Sequence, residues 1–176
     1  MDIKTIESYI VYKNPWMTVR EDAIERKDGS TGIYGVVDKP DFVIVIALEA
    51  QHIYLVEQFR YPVKGRFWEF PQGSWENSPE ADPVVVARGE LKEETGLSAG
   101  TIDYLGHLYS AYGYSSQGMH VFLATNLIEG ERYLTSEEQD MIVTSVSLEE
   151  FENMIRRGLI KDAATLAAYT LLKTKV

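Results

Sequence analysis

The amino-acid sequence predicts an α/β (α+β) protein with a small β-domain at its N-terminus. Three observations support this fold class. Short runs rich in β-branched and aromatic residues fill most of the first half of the 176-residue chain. One segment with helical periodicity interrupts these runs, and two further helical segments close the chain. Strands, then a helix, more strands and closing helices are typical of α+β or mixed α/β folds.

The N-terminal segment, residues 1–38, has the pattern of a β-hairpin. Asp28-Gly29 is a frequent hairpin turn. It separates two predicted strands, Trp16–Ile24 and Thr31–Val37. We therefore expect an N-terminal β-hairpin subdomain over residues 1–38 and a main domain over residues 39–176.

The main domain begins with strands. Phe42–Leu48 is almost wholly apolar, which predicts a strand covered on both faces. His52–Phe59 continues the strand pattern. Phe67–Phe70 forms a short third element, which Pro71 and Gly73 end.

A helix is predicted from Asp82 to Thr95. Asp82 is a favourable N-cap, Pro83 suits the first helical position, and Gly96 suits the position after the helix. Four residues at helical spacing define its apolar face: Val84, Ala87, Leu91 and Thr95.

The remaining elements complete the predicted layers. Three strands and then two helices follow, in this order: Thr101–Ser110, Met119–Ala124, Met141–Val146, Leu148–Arg157 and Ala163–Lys173. The histidines His52, His107 and His120 all fall in strand contexts, and we interpret them as structural.

Composition and charge restrict the function classes. The formal net charge of −10 disfavours binding to nucleic-acid phosphates. With no Cys, the chain forms no disulfide or thiolate metal site. The N-terminus lacks a signal-peptide pattern, and no apolar run reaches membrane-span length. These features indicate a cytoplasmic protein that contacts neither nucleic acid nor membrane.

Three glutamates dominate the predicted helix. Glu90, Glu93 and Glu94 share one helix face at positions i, i+3 and i+4. Like charges at this spacing destabilise a helix unless a cation lies against them. Mg²⁺ prefers such oxygen ligands and often shares them with substrate phosphates. The alternative is a solvated acidic surface beside Arg88 and Lys92.

The segment from Gly73 to Leu97 resembles the Nudix box, the signature of the Nudix hydrolase family. Its second half, Glu90-Leu91-Lys92-Glu93-Glu94-Thr95-Gly96-Leu97, matches every specified position of that half. The first half departs from the pattern, because it is two residues longer and carries Gly89 in place of the family arginine. Glycine inside a helix costs about 1 kcal/mol relative to alanine, and the sequence offers no local structural reason for it.

Flanking motifs extend the resemblance to the ADP-ribose pyrophosphatase branch of this family. Gln58-Phe59-Arg60-Tyr61-Pro62 and Trp68-Glu69-Phe70-Pro71-Gln72-Gly73 are similar to the segments that precede the box there. Glu137-Glu138-Gln139-Asp140 is similar to the acidic loop that supplies the catalytic base.

The resemblance implies a metal site and a base. Glu90 and Glu94 are the expected Mg²⁺ ligands, with Mn²⁺ as a possible substitute. Glu93 would bind a metal or its water shell, and the Gly73 carbonyl would be a backbone ligand. Glu138 is the first candidate for the base that deprotonates the attacking water, and Asp140 is the second.

Substrate contacts are also implied, each beside a structural alternative. Arg60 would contact a phosphate or ribose, or form a surface salt bridge, and Glu69 would bind substrate hydroxyls or orient Arg60. Trp16 would stack the base from a partner subunit, or belong to the core. The loop Tyr112–Gly118 supplies further candidates, or is simply a turn: Tyr112, Tyr114, Ser116 and Gln117. The acidic pair usual in this region is replaced by Ser116-Gln117.

The resemblance therefore implies a Nudix α/β/α sandwich with a small N-terminal β-domain, assembled as a homodimer. The implied reaction is Mg²⁺-dependent hydrolysis of a small-molecule nucleoside diphosphate sugar, such as ADP-ribose or GDP-mannose, to a nucleoside monophosphate and a sugar phosphate. One alternative is house-cleaning hydrolysis of nucleoside triphosphates. Another is a non-catalytic module that senses nucleotide sugars, and RNA decapping is disfavoured by the acidic balance.

Overall fold

The computed structural model describes residues 3–75, 78, 80–132 and 140–175. These residues form two β-sheets and three α-helices. The first sheet contains three antiparallel strands in the order β1-β2-β3: β1 (Ile3–Lys13), β2 (Thr18–Arg26) and β3 (Thr31–Asp38).

The second sheet has seven strands and forms the centre of the main domain. Its order is β10-β5-β4-β9-β8, with β6 beside β5 and β7 beside β4. Among the described strands of this sheet, only β4 and β9 pair in parallel, and the other pairs are antiparallel. Its strands are β4 (Phe42–Glu49), β5 (His52–Arg60), β6 (Gly65–Glu69), β7 (Gln72–Gly73), β8 (Leu97–Tyr109), β9 (Gly118–Glu129) and β10 (Ile142–Ser147).

Helices cover both faces of this sheet. They are α1 (Pro83–Thr95), α2 (Leu148–Arg156) and α3 (Ala163–Lys175). Residues of β4 alternate between the two layers, as the pleat of a strand requires. Ile44 and Ile46 pack in the cluster that contains α2 and α3 residues, while Val43 and Val45 pack in the cluster that contains α1 residues. This arrangement is the predicted α/β/α sandwich.

The sequence did not predict β1. All eleven of its residues are exposed, so no alternation of buried and exposed positions marks it as a strand. Register shifts between Thr5 and Glu7 and between Ile10 and Tyr12 further break the period. The N-terminal unit is therefore a three-stranded sheet rather than a hairpin alone.

Other differences concern strand ends. The strand predicted from Trp16 begins at Thr18, because Asn14 Oδ1 accepts bonds from the backbone N–H groups of Trp16 and Met17 and holds a turn there. The strand predicted from Thr101 begins at Leu97 and pairs with β9 as far as Glu129.

No helix among the described residues is long and apolar enough to cross a membrane.

Candidate active site

A cavity of about 1050 Å³ lies where β5, β7, α1 and the N-terminal sheet approach one another. Seven of the predicted site residues line it: Trp16, Arg60, Gly73, Glu90, Glu93, Glu94 and Gln117. These residues come from widely separated parts of the sequence. The fold thus brings the three glutamates of α1, the carboxylate helix, into one cavity with Arg60 and Trp16.

The two ends of α1 fix which of its residues face this cavity. The Asp82 side chain accepts a bond from the Val84 backbone N–H, 3.0 Å away. At the other end Gly96 adopts a left-handed conformation, φ 77°, and its N–H donates to the Lys92 carbonyl. Between these caps, Leu91 packs into the core with no exposure, while Glu90 and Glu94 are 6% and 1% exposed.

Gly73 lies directly against Glu90. A Cβ at position 73 would be 2.4 Å from Glu90 Oε2 and 2.6 Å from its Cδ, so only glycine fits. Next to it, the Gln72 backbone N–H donates to Glu94 Oε2 over 3.0 Å. The short strand β7 therefore meets two of the three glutamates through its backbone.

The donor set suits a hard divalent cation. Burial of ionised carboxylates is costly unless a cation or donors compensate the charge. Glu90 and Glu94 are buried beside the backbone of Gly73, and the half-buried Glu93 lines the same cavity. Carboxylate and carbonyl oxygens are the ligands that Mg²⁺ and Mn²⁺ accept. The residues present therefore fit such an ion.

The structure supplies the reason for Gly89 that the sequence lacked. A Cβ at this position would lie 2.4 Å from Cζ2 of the Trp75 ring. Trp75 packs against the core cluster that contains α1. The neighbouring Arg88 turns to the other side of the helix, where its Nη1 donates to the Ala99 carbonyl of β8 over 2.8 Å. The reason for Gly89 is therefore a contact with a residue distant in the sequence and not a local one.

Arg60 and Glu69 form an ion pair with two bonds. Arg60 Nε donates to Glu69 Oε2 over 3.1 Å, and Nη2 donates to Oε1. Glu69 is 2% exposed and also accepts a bond from Gln58 Nε2 over 2.9 Å. Burial raises the pKa of Glu69, and Arg60 opposes that rise. Of its two predicted roles, Glu69 has the geometry of the residue that orients Arg60.

A second cavity of about 840 Å³ adjoins the first. Arg60, Gln72 and Gln117 line both, while Glu69 and Lys161 line only the second. Together the two cavities can accommodate an elongated ligand with a different chemical group in each cavity. Arg60 lies where they meet.

The loop between β8 and β9 docks on the end of β3. The Val37 N–H donates to the Tyr114 carbonyl over 2.8 Å, and the Ser116 N–H donates to the Val37 carbonyl over 3.1 Å. Tyr112 is 84% exposed and Tyr114 60%. Of the four predicted loop residues only Gln117 lines the described cavities, and its Nε2 donates to the Pro40 carbonyl. Substrate binding by the other three stays a prediction.

Asp140 is held away from these cavities by Arg66. Arg66 bonds to the Asp140 carboxylate and donates to its carbonyl, and its Nε donates to Glu57 Oε2 over 2.9 Å. Glu138, the other candidate base, lies outside the described residues. Asp140 does not line either described cavity.

Arg132 was not singled out by the sequence. Its Nε donates to the Glu94 carbonyl at the end of α1 over 2.9 Å, and its Nη2 donates to the Met141 carbonyl over 3.1 Å. It thereby connects the carboxylate helix to the start of the last strand. The sequence offers one signal for Arg132, its position shortly before the acidic segment Glu137–Asp140.

The chain matches known protein families and individual known proteins over most of its length. Residues 3–37 match the nucleoside diphosphate sugar hydrolase N-terminal domain, and residues 38–168 match the NUDIX domain. ADP-ribose pyrophosphatase of Mycobacterium tuberculosis is 31% identical over 168 residues, which are 94% of this chain and 81% of that protein.

Two further comparisons agree. ADP-ribose pyrophosphatase of Bacillus subtilis is 29% identical over 178 residues, covering 99% of this chain and 95% of that protein. A crystal structure described as that of an ADP compounds hydrolase superposes with a TM-score of 0.88 at 20% identity, covering 99% of this chain and 94% of the other. That likeness establishes a shared fold.

Proposed function

The chain belongs to the Nudix family of hydrolases, and on that premise we propose that it cleaves the diphosphate of nucleoside diphosphate sugars. ADP-ribose is the leading substrate and GDP-mannose the second. The products would be a nucleoside monophosphate and a sugar phosphate. The observation that carries the proposal is the packing of Gly73 on Glu90, beside buried Glu94, at the wall of a cavity of about 1050 Å³.

Glu90, Glu93, Glu94 and the Gly73 carbonyl would hold Mg²⁺, with Mn²⁺ as a substitute. When bound, the ion would neutralise diphosphate charge and lower the pKa of the attacking water. The formal charge of −10 makes such compensation necessary for an anionic substrate.

The chain's own residues would position the two ends of the substrate. Arg60 would donate its remaining N–H groups to a phosphate or terminal ribose, in an orientation fixed by Glu69. Trp16 would stack on the base, because it is 51% exposed and lines the same cavity. Gln117 lines the same cavity and would also contact the substrate.

Glu138 would accept the proton of the attacking water as general base. Asp140 is the second candidate, and its ion pair with Arg66 favours Glu138. Glu93 would assist by orienting water. With the proton removed, the oxygen attacks one phosphorus and the other phosphate leaves.

We also propose that the N-terminal subdomain, residues 1–38, joins two copies of the chain through its sheet, while residues 39–176 form the hydrolase domain. Apolar side chains are exposed on β1 and β3, among them Ile6, Ile10 and Ile33 at 53%, 65% and 66%. Clustered exposed apolar side chains mark interaction surfaces. Sedimentation analysis of the protein and of Ile10→Glu tests this, since a wild-type monomer would contradict it.

Hydrolysis of a nucleotide-sugar panel, with and without Mg²⁺, tests the proposed activity. We expect Mg²⁺-dependent release of a nucleoside monophosphate, with ADP-ribose ahead of GDP-mannose. Glu94→Gln should abolish it, whereas Glu149→Gln, at an exposed glutamate in the first turn of α2, should not. Faster turnover of nucleoside triphosphates than of any nucleotide sugar would favour the house-cleaning alternative. Tight binding of nucleotide sugars without turnover would favour a sensing module.

A further inference from the structure

Three side chains with metal-binding groups meet outside the large cavity. Asp41 precedes β4, His107 belongs to β8 and His120 to β9. Asp41 Oδ2 lies 2.9 Å from His107 Nε2 and 3.5 Å from His120 Nε2. One ligand atom from each residue lies within 4.8 Å of the other two. None of these three described residues lines the cavity that contains Glu90 and Glu94.

The strand register produces this cluster. His107 and His120 are direct partners across the antiparallel pair β8–β9, so their side chains lie on the same face of the sheet. Their ring centroids are 4.8 Å apart. In the parallel pair β4–β9, Phe42 lies opposite Met119, which brings the preceding Asp41 next to Gly118.

Gly118 makes the close approach possible. Its backbone N–H donates to Asp41 Oδ1 over 2.7 Å and so fixes the carboxylate. A Cβ at position 118 would lie 2.0 Å from His107 Nε2 and 2.9 Å from Asp41 Oδ2. Any other residue would push these two groups apart.

We propose that Asp41, His107 and His120 bind one divalent transition-metal ion of the zinc class, at a site distinct from the carboxylate cluster of α1. Two imidazoles and one carboxylate suit borderline ions such as Zn²⁺ better than Mg²⁺. Ligand atoms about 2.0–2.1 Å from a tetrahedral ion lie roughly 3.3–3.4 Å from one another. The two separations from Asp41 Oδ2, 2.9 and 3.5 Å, are close to this value, and the separation between the histidine ligand atoms is at most 4.8 Å.

A second layer of contacts supports the ligands. The Tyr104 hydroxyl lies 3.3 Å from His120 Nδ1. With Nε2 on a metal, Nδ1 carries the proton and donates to Tyr104, the arrangement that orients metal-bound histidines. The three ligands are partly exposed, with side-chain exposures of 40%, 30% and 24% for Asp41, His107 and His120, so a water completes the coordination.

The site would stabilise the turn that leads into β4. Pro40, beside the Asp41 ligand, accepts the bond from Gln117 Nε2, and Gln117 lines the substrate cavity. A metal on Asp41 would tie this turn to β8 and β9. The effect of the ion on stability is therefore measurable without any assay of hydrolysis.

Zn²⁺ titration by calorimetry tests the proposal on the full chain. We use the double variant Glu90→Gln/Glu94→Gln to remove the carboxylate cluster as a competing site. One Zn²⁺ should still bind it and raise its melting temperature. Adding His107→Ala should weaken binding by at least roughly 100-fold and remove the thermal shift, since loss of a supporting residue alone costs about 10–100-fold. Tyr104→Phe should weaken binding by about 10-fold.

His52→Ala is the matched control, because His52 is an exposed histidine on β5 outside the cluster, and it should leave Zn²⁺ binding unchanged. Asp41→Asn keeps an acceptor for the Gly118 N–H. It therefore provides a variant of a ligand residue that should still fold. Co²⁺ gives a second readout, through absorption bands that depend on the two histidines. Zn²⁺ binding unchanged in His107→Ala, or absent from the double variant, would overturn the proposal and leave a hydrogen-bonded trio without metal.

Discussion

The Trp75 ring and the backbone of Gly89 are in direct contact, so that a Cβ at position 89 would meet Cζ2 at 2.4 Å. Trp75 belongs to the segment that leads from β7 to α1. The helix therefore accepts a glycine where it would otherwise favour a longer side chain. This contact explains one departure of the chain from the family pattern, the glycine at position 89.

Gly89→Ala should destabilise the protein by about 1–3 kcal/mol, because the added methyl group overpacks the contact with Trp75. In a Trp75→Ala background the same change should stabilise the protein by about 1 kcal/mol, the ordinary helix preference for alanine. Urea unfolding of the four proteins measures both values. Additive effects would show that the contact does not constrain position 89.

Gly73→Ala should reduce kcat/KM by roughly 100-fold, because its Cβ would displace the Glu90 carboxylate, and misplacement by about 1 Å is costly in an active site. Steady-state kinetics on ADP-ribose with Mg²⁺ measures the effect. Gly35→Ala is the matched control, since a Cβ there meets nothing within 4 Å. Equal losses in both variants would indicate damage to the fold rather than to the site.

Arg60→Lys should raise KM by about 10-fold, equivalent to about 1.4 kcal/mol. Lysine keeps the charge but cannot form both bonds to Glu69 and still present a planar donor group. Initial rates over a range of substrate concentrations separate KM from kcat. Arg156→Lys, in an exposed pair with Glu152, should leave both constants unchanged. A normal KM in Arg60→Lys would remove Arg60 from the substrate site.

Glu138→Gln should lower kcat by roughly 10²–10⁴-fold, the usual loss when a general base is removed. Asp140→Asn should lower it by less than about 10-fold, because Asp140 is exposed and paired with Arg66. Single-turnover rates at saturating substrate compare the two variants. The reverse ranking would identify Asp140 as the base.

Tyr169 should make stability fall at alkaline pH. Burial first, and then the bond from its hydroxyl to Glu152, raise its pKa from 10.0 to about 12. Because the folded pKa lies above the unfolded one, this stabilisation is complete below pH 10 and is lost as pH rises towards 12. Between pH 10 and about 12, the free energy of unfolding of Tyr169→Phe should therefore fall by roughly 1–2 kcal/mol less than that of the wild type.

Unfolding by urea at stepped pH measures this slope, and tyrosinate absorbance follows the ionisation itself. Tyr112→Phe is the control, because Tyr112 is 84% exposed and the substitution should leave the slope of stability against pH unchanged. Identical slopes in the wild type and Tyr169→Phe would contradict the assignment.

The elements whose structure depends on neighbouring residues could be predicted from the sequence. The apolar run at Phe42–Leu48 becomes β4, packed on both faces, and the caps Asp82 and Gly96 enclose α1 as predicted. The three glutamates of α1 and Arg60 then reach one cavity. Helix caps and strand alternation depend on near neighbours in the chain, which a sequence displays.

Contacts between distant segments could not be read in the same way. The contact between the Trp75 ring and Gly89 joins two residues that are far apart in the chain. The histidines His107 and His120 were interpreted separately, because only the β8–β9 register makes them neighbours. β1 escaped detection because an exposed strand with register shifts has no hydrophobic period.

The two bonds of Arg132 have a further consequence for how this protein can diverge. One guanidinium fastens the carbonyls of Glu94 and Met141, which lie on opposite sides of residues 133–139 in the chain. Arg132 and Met141, which flank that segment in the chain, are therefore joined by a hydrogen bond. In general, doubling the length of a flexible connection between two fixed ends costs only about 0.6 kcal/mol. The residues between these two ends, Glu138 among them, can thus change in number or identity while the bonds from Arg132 to α1 and to Met141 persist.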